Sequence, residues 1–494
     1  MTGQRALLWR AAQTPDAPAL ESEAGIWSFA DLAGRARRGA ACIDALVPPG
    51  GAPIGLLLDD APEFAAWFHA VALAGRTVLP LNVRLTSGEL AQQLADARVR
   101  LLLGSAADTR VAELGRHVPG LRALAVPSLD LLPSLREAGP SAAADLDEDV
   151  VLAVLFTSGT SGRAKGACLS WGNFHASALA ADERLQAAVR GRWLACMPLF
   201  HVGGLSILVR SVVLGGPVLL MPRFDAVAVS DALDRGDVAG VSLVPTMLSR
   251  LLSCRAGRPA PRGLAAVLLG GAAASPELVE RALEAGYPIC PTYGLTEATS
   301  QVATAAPPPA GTRSPRPMLP LQGTDVRVLD EYGGDAPTGT PGEIAVRGPT
   351  VMQGYLHDPV ATARVLRNGW LHTGDVGYLD AAGGLHVLDR RDDLVVSGGE
   401  NVYPAEVEAA LLEHPSVEDA GVTGVPDVDL GKRLVAWIVV APGAAHDVES
   451  LRRHCRGRLA GFKQPREFRF VGALPRNAAG KLQRRLLPGV PQRP

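Results

Sequence analysis

At 494 residues the chain is too long for one compact core and implies two or more domains. Hydrophobic residues at 47% and charged residues at 20% describe an ordinary globular protein, and a formal net charge of -2 offers no overall attraction for nucleic acid or anionic lipid. Only four of the 48 basic residues are lysine: Lys165, Lys432, Lys463 and Lys481. In a chain so biased towards arginine, a surviving lysine is a signal, because it is a compact, flexible point charge where arginine is a planar fork.

Residues 1–10 lack the apolar core of a signal peptide and read as the start of an amphipathic helix. No stretch approaches the roughly 18 apolar residues of a membrane span, so no membrane association and a cytoplasmic location are expected. Short apolar runs follow at 55–58, 77–80, 101–104, 150–156, 216–221, 240–244 and 266–270, separated by helical patterns such as 62–74. Strands buried on both faces and alternating with helices predict a doubly wound α/β architecture. The Pro-rich stretch 305–317 reads as a surface loop. Beyond it the texture is β-rich, at 325–329, 342–347 and 384–389. Polar residues dominate 389–393, and a compact unit of about a hundred residues follows. It mixes helices near 404–412 and 449–459 with a strand at 434–440. The expected fold is therefore a large N-terminal α/β domain (1–391) with a β-rich subdomain and, past a boundary at about Asp392, a small α+β C-terminal domain (392–494).

Cys42, Cys168, Cys196, Cys254, Cys290 and Cys455 show no C-x-x-C pair and no metal spacing; they read as small hydrophobes in a reducing compartment. Arg452, Arg453, Arg456 and Arg458 fit either a solvated helix face or contact with a phosphorylated ligand.

The strongest motif follows the apolar run 150–156. Thr157, Ser158, Gly159, Thr160, Ser161 and Gly162 lead to Lys165 and Gly166. Glycines let successive N–H groups converge on an anion, hydroxyls supplement them, and the lysine adds a mobile charge for a polyphosphate. It is not the Walker pattern, because only two residues separate Gly159 from Gly162. A polar strand-to-helix loop would explain one or two of these residues but not the string.

This string, followed in order by Gly270-Gly271-Ala272, Tyr293-Gly294-Leu295-Thr296-Glu297, a segment 369–375 ending in Asp375, a segment 390–404 opening on Arg390, and Gly480-Lys481, resembles the AMP-forming adenylating enzymes. That superfamily holds acyl-CoA synthetases, carrier-protein adenylation domains and luciferases. The departures are Ala164, where proline is commoner, and Asp389, where glycine usually stands. The resemblance implies ATP, Mg²⁺ and coenzyme A as ligands and a small-molecule carboxylic acid as substrate. It implies that a carboxylate is converted to an acyl-adenylate with loss of pyrophosphate, then passed to a thiol. Lys481 would bridge the substrate carboxylate and the α-phosphate, and Glu297 would hold Mg²⁺. Tyr293 would lie against adenine, with Gly271, Ala272, Gly294 and Thr296 around the nucleotide. Asp375 would accept the ribose hydroxyls, with Arg390 beside it. Asp392 matches the position where the small domain pivots between the two steps, and Gly398 and Gly399 the glycines lining the pantetheine tunnel.

The acid is read from segment 197–216. His201 matches the acyl-pocket gate of aryl-CoA ligases. Arg210 interrupts an apolar stretch, so it meets either an internal partner or a second acid group on the substrate. With Ser300 in segment 293–304, these features most resemble the 2-succinylbenzoate–CoA ligases of menaquinone synthesis. Another aryl- or fatty acyl-CoA ligase, or an enzyme loading a carrier protein, stands as the alternative. The sequence is compatible with a homodimer.

Overall fold

The computed structural model describes residues 6–48, 51–126, 128–131, 148–157, 164–272, 274, 276–309, 311–389, 395–475, 482 and 484–492. Ser158, Gly159, Thr160, Ser161, Gly162, Arg390, Asp392 and Lys481 lie outside these residues. Two large sheets organise the N-terminal domain. One runs in the order Leu319–Pro320, Ala303–Thr304, Ile289–Tyr293, Ala266–Leu269, Val238–Leu243, Arg192–Ala195, Val218–Leu220, Pro18–Ser22 and Gly25–Ser28. The other runs Gly354–Tyr355, Lys165–Ser170, Val151–Thr157, Val78–Pro80, Ile54–Leu57, Leu101–Ser105 and Arg122–Val126. Their central pairings are parallel. Strands such as Ile54–Leu57 and Ala266–Leu269 are buried at every residue, as sheets covered on both faces require.

Local chemistry sets the helices between them. Phe29–Leu46 starts at a reciprocal capping box between Ser28 and Asp31, and Ala61–Leu73 starts at Asp60 with proline in its first turn. The second of these helices is apolar nearly all round. It is buried accordingly, its Trp67 and Phe68 joining a core that also takes Trp171 and Trp193.

The expected strands, the 62–74 helix (found at Ala61–Leu73) and the irregular character of 305–317 are present among the described residues. A strand and not a helix follows the 157–166 motif's glycines: Val151–Thr157 pairs antiparallel with Lys165–Ser170, which sets Thr157 opposite Lys165. Strands Asp325–Leu329, Gly342–Arg347, Trp370–Leu379, Leu366–Arg367 and Leu385–Asp389 form the β-rich subdomain. In the small domain, helices Pro404–Leu412 and Val448–Arg456 cover a sheet built on the long antiparallel pair Val417–Asp427 and Gly431–Val440. The second helix stops at Arg456, short of the expected 459, because Gly457 occupies its C-cap. Among the described residues no helix is long and apolar enough to cross a membrane.

Candidate active site

Residues of both domains line one cleft of about 250 Å³. Beside the cleft-lining Thr157 and Glu297, the Lys165 ammonium lies 5.3 Å from the centre of the Tyr355 ring. The Tyr355 hydroxyl donates to Glu297 Oε1 at 2.8 Å, and the Thr157 hydroxyl reaches the same oxygen at 3.4 Å. Thr157, Lys165 and Glu297 are thus gathered around Tyr355, a residue the sequence reading missed. Its strand, Gly354–Tyr355, pairs with Ala167 and Cys168, a contact no local motif announces.

Next along the cleft, Tyr293 closes strand Ile289–Tyr293, and its hydroxyl donates to Asp375 Oδ2 at 2.7 Å. Both side chains are buried. Gly294 follows, where a Cβ would stand 1.4 Å from the Ser300 carbonyl oxygen, so only glycine fits. Thr299 and Ser300 hold φ of +49° and +85°, a conformation that L-residues adopt only when their surroundings impose it. Here the Thr299 hydroxyl donates to the Thr350 carbonyl at 2.7 Å, and the Ser300 N–H to the Leu295 carbonyl at 3.2 Å. Gly271, Thr296 and Ser300 line the cleft, and Ala272 continues the turn after strand Ala266–Leu269.

Helix Val202–Leu214 also lines the cleft, and its Leu205, Ile207, Leu208, Val209, Val212 and Val213 are buried. His201 is its N-cap residue. At the other end Arg10 donates to the Val212 and Val213 carbonyls at 3.0 and 2.6 Å. Arg210 is 5% exposed and lines the cleft, its guanidinium 4.2 Å over the Trp193 ring. Its Nη2 has no hydrogen-bond partner among the described residues. Desolvation pushes this guanidinium down to about 10. Ser206, one turn earlier, lines the same cleft with its hydroxyl equally unpartnered there. It was missed too, though its i, i+4 spacing from Arg210 is a helical signal.

The small domain closes the cleft. Gly398 and Gly399, with φ of +58° and +85°, turn the chain between strands Val395–Ser397 and Glu400–Val402. A Cβ on Gly399 would lie 3.9 Å from Val244 and Met247 of the large domain. Glu400, missed as a site residue although it stands beside these glycines, has a side chain only 2% exposed. It accepts from Arg84 at 2.8 Å and Asn82 at 3.3 Å, and lies 3.0 Å from His201 Nε2. Burial alone would raise its carboxyl, but His201 and Arg84 hold it below 4.5. Leu482, just after Lys481, packs on Gly421 within the small domain and is not among the cleft-lining residues. Arg452 and Arg456 pair with Glu449, and Arg458 with Glu413, which is the solvated helix face.

The AMP-binding enzyme family matches residues 7–356, and the AMP-binding enzyme C-terminal domain matches 406–481. The chain is 43% identical over 438 residues to 2-succinylbenzoate–CoA ligase of Geobacillus kaustophilus, covering 88% of this chain and 87% of that protein. A double mutant of o-succinylbenzoate CoA synthetase from Bacillus subtilis, bound with its product analogue, superposes with TM-score 0.91 at 34% identity, covering 100% of this chain and 99% of that one. The Bacillus subtilis enzyme in complex with ATP and magnesium ion superposes with TM-score 0.73 at 35% identity, covering 99% of each chain. At near-equal identity, the chain as a whole superposes more closely on the product-analogue complex. In both of its domains the chain belongs to the AMP-binding enzyme family, the adenylate-forming ligases.

Proposed function

We propose that this chain is a 2-succinylbenzoate–CoA ligase of menaquinone synthesis. One oxygen of the substrate's aliphatic carboxylate attacks the α-phosphorus of ATP, pyrophosphate leaves, and an acyl-adenylate forms. The sulfur of coenzyme A then attacks the acyl carbon, AMP leaves with the bonding pair, and the thiol proton goes to solvent. In-line displacement of this kind is served by positioning and charge neutralisation.

Each residue has a place in this scheme. Thr157, Ser158, Gly159, Thr160, Ser161, Gly162 and Lys165 hold the phosphates, and Lys481 bridges the carboxylate and α-phosphate in the first step. Glu297, with the Thr157 hydroxyl 3.4 Å away, offers the hard oxygen donors that suit Mg²⁺. The bound cation would neutralise phosphate charge. Tyr293, Gly271, Ala272, Gly294 and Thr296 surround the adenosine, and Asp375 with Arg390 takes the ribose. Gly398 and Gly399 leave room for the pantetheine arm, and Glu400 fixes His201 at the mouth of the acyl pocket. The small domain, beginning at Asp392, reorients between the steps in a cytoplasmic enzyme.

Arg210 carries the choice of acid. It is a buried guanidinium lining the cleft with an Nη2 unpartnered among the described residues, one helical turn from the equally unpartnered Ser206 hydroxyl, and Ser300 lines the same cleft. An unmet buried cation is costly, and the ring carboxylate of 2-succinylbenzoate is an anion of the right kind to meet it. The test is a panel of carboxylic acids with ATP and coenzyme A, read as AMP and thioester. The expected result is a kcat/KM for 2-succinylbenzoate at least about a hundredfold above those for benzoate, octanoate and 4-phenyl-4-oxobutyrate. Equal use of the monoacids would overturn the assignment.

A further inference from the structure

A second buried cation lies where the two domains meet. Lys463, in the one-turn helix Gly461–Lys463 of the small domain, places its ammonium 2.7 Å from Glu89 Oε1 and 2.7 Å from Glu406 Oε1. Glu406 belongs to the small domain's helix Pro404–Leu412, whereas Glu89 belongs to the large domain's helix Ser87–Asp96. The three side chains are 7%, 18% and 12% exposed, for Lys463, Glu406 and Glu89 respectively.

Glu89 has two duties. Its Oε2 accepts from the Thr86 N–H and hydroxyl at 2.8 Å each, completing the capping box of its own helix. The same oxygen accepts from the Ala460 N–H across the interface at 3.1 Å. Ala460 is buried in the large domain's apolar cluster with Leu85 and Leu90, and Phe462 packs against both that cluster and the small domain's core. Asn82 and Arg84, a few residues before Glu89, hold Glu400. One short segment of the large domain, 82–89, therefore grips the small domain at two separate points.

A lysine shared by two buried carboxylates leaves one negative charge uncompensated, and Glu406 Oε2 has no partner among the described residues. Desolvation and attraction nearly cancel in such a cluster. It is held together while the domains are docked and loses little when they part, because all three groups then meet water. A permanent strut would be built from packing instead.

We propose that Lys463, clamped between Glu89 and Glu406, is a positioning residue: a reversible latch that holds the small domain in the orientation for thioester formation. This rests on the two-step reading above. Glu89 is the half of the clamp that separates when the domain turns.

Glu89→Gln is the decisive variant. Glutamine serves equally at the third position of a capping box, so the helix stays capped while the charge opposite Lys463 is removed. Two readouts are needed. Transfer from synthetic 2-succinylbenzoyl-adenylate to coenzyme A should slow about tenfold, while ATP–pyrophosphate exchange with 2-succinylbenzoate is unchanged. In the ligand-free protein, the distance distribution between one spin label on each domain should shift away from the docked separation. Lys463→Met should do the same to both. An equal fall in both half-reactions, or unchanged transfer and distances in both variants, would overturn the latch. The distance measurement needs no substrate, so its outcome does not depend on the identity of the acid.

Discussion

Arg210 and Lys463 are both buried cations lining the same cleft, and their surroundings are opposite. Arg210 meets the face of Trp193 and leaves Nη2 unpartnered among the described residues; Lys463 is held by two carboxylates at 2.7 Å. Burial pushes the first guanidinium down to about 10, while for Lys463 burial is outweighed by the two carboxylates, which raise the ammonium. The contrast separates two uses of a buried charge. On the function proposed above, the one left unmet by the protein is kept for a ligand, and the one met by two carboxylates joins two pieces of protein.

The sharpest way to test that division is a third cation. Lys481→Ala should cost about a hundred- to a thousandfold in adenylation, the scale of losing one charge contact focused on a transition state. Transfer from a preformed acyl-adenylate should be largely spared. With the Glu89→Gln result this makes a double dissociation, each lysine serving one half-reaction; equal losses in both steps would erase it.

Arg210→Ala should remove a charge-assisted contact of roughly 1.5–3 kcal/mol, or about ten- to a hundredfold in kcat/KM for 2-succinylbenzoate. The analogue 4-phenyl-4-oxobutyrate keeps the succinyl arm without the ring carboxylate and should change little. Thermal unfolding of Arg210→Met should stay near that of the unmodified protein, since no ion pair is lost. A marked drop would move Arg210 into the same class as Lys463.

The smallest effect concerns Glu406. Burial, ahead of the opposing pull of Lys463, raises its carboxyl above 4.5. A raised acid favours the folded state below its unfolded pKa, and that contribution is lost as pH rises through the folded value. Unmodified protein should therefore lose stability relative to Glu406→Gln across that window, by at most about 1 kcal/mol. Parallel stability–pH curves would show that the cluster does not titrate as a unit.

The two cations also mark how far the sequence could be read. Apolar runs such as 150–156 and 266–270 located the parallel strands, because strands covered on both faces leave an unbroken apolar record. Motif spacing picked out Thr157, Glu297 and Asp375, which the fold brings to one cleft, and Tyr293, which it hydrogen-bonds to Asp375. Arg210 was legible because it breaks an apolar helix. Lys463 carried the same compositional signal as Lys165, being one of four lysines, yet no motif surrounds it. Its partner Glu89 lies 374 residues away. Tyr355 and Glu400 were missed for the same reason: each acquires its meaning from a contact across sheets or domains. That a strand, Lys165–Ser170, follows this run was hidden because hydroxyl- and glycine-rich segments look alike whether a strand or a helix follows.

The clamp of Arg10 on the last carbonyls of helix Val202–Leu214 has a practical side for anyone making this protein. The helix that presents His201, Ser206 and Arg210 is fastened at its far end by a side chain only ten positions into the chain. Trimming or fusing at the N-terminus is usually treated as harmless to an enzyme whose motifs begin at residue 157. Here a shortened chain starting beyond Arg10 would release two helix-end carbonyls and loosen the helix that carries Arg210, so on the proposed function its substrate preference would blur while its nucleotide chemistry stayed whole.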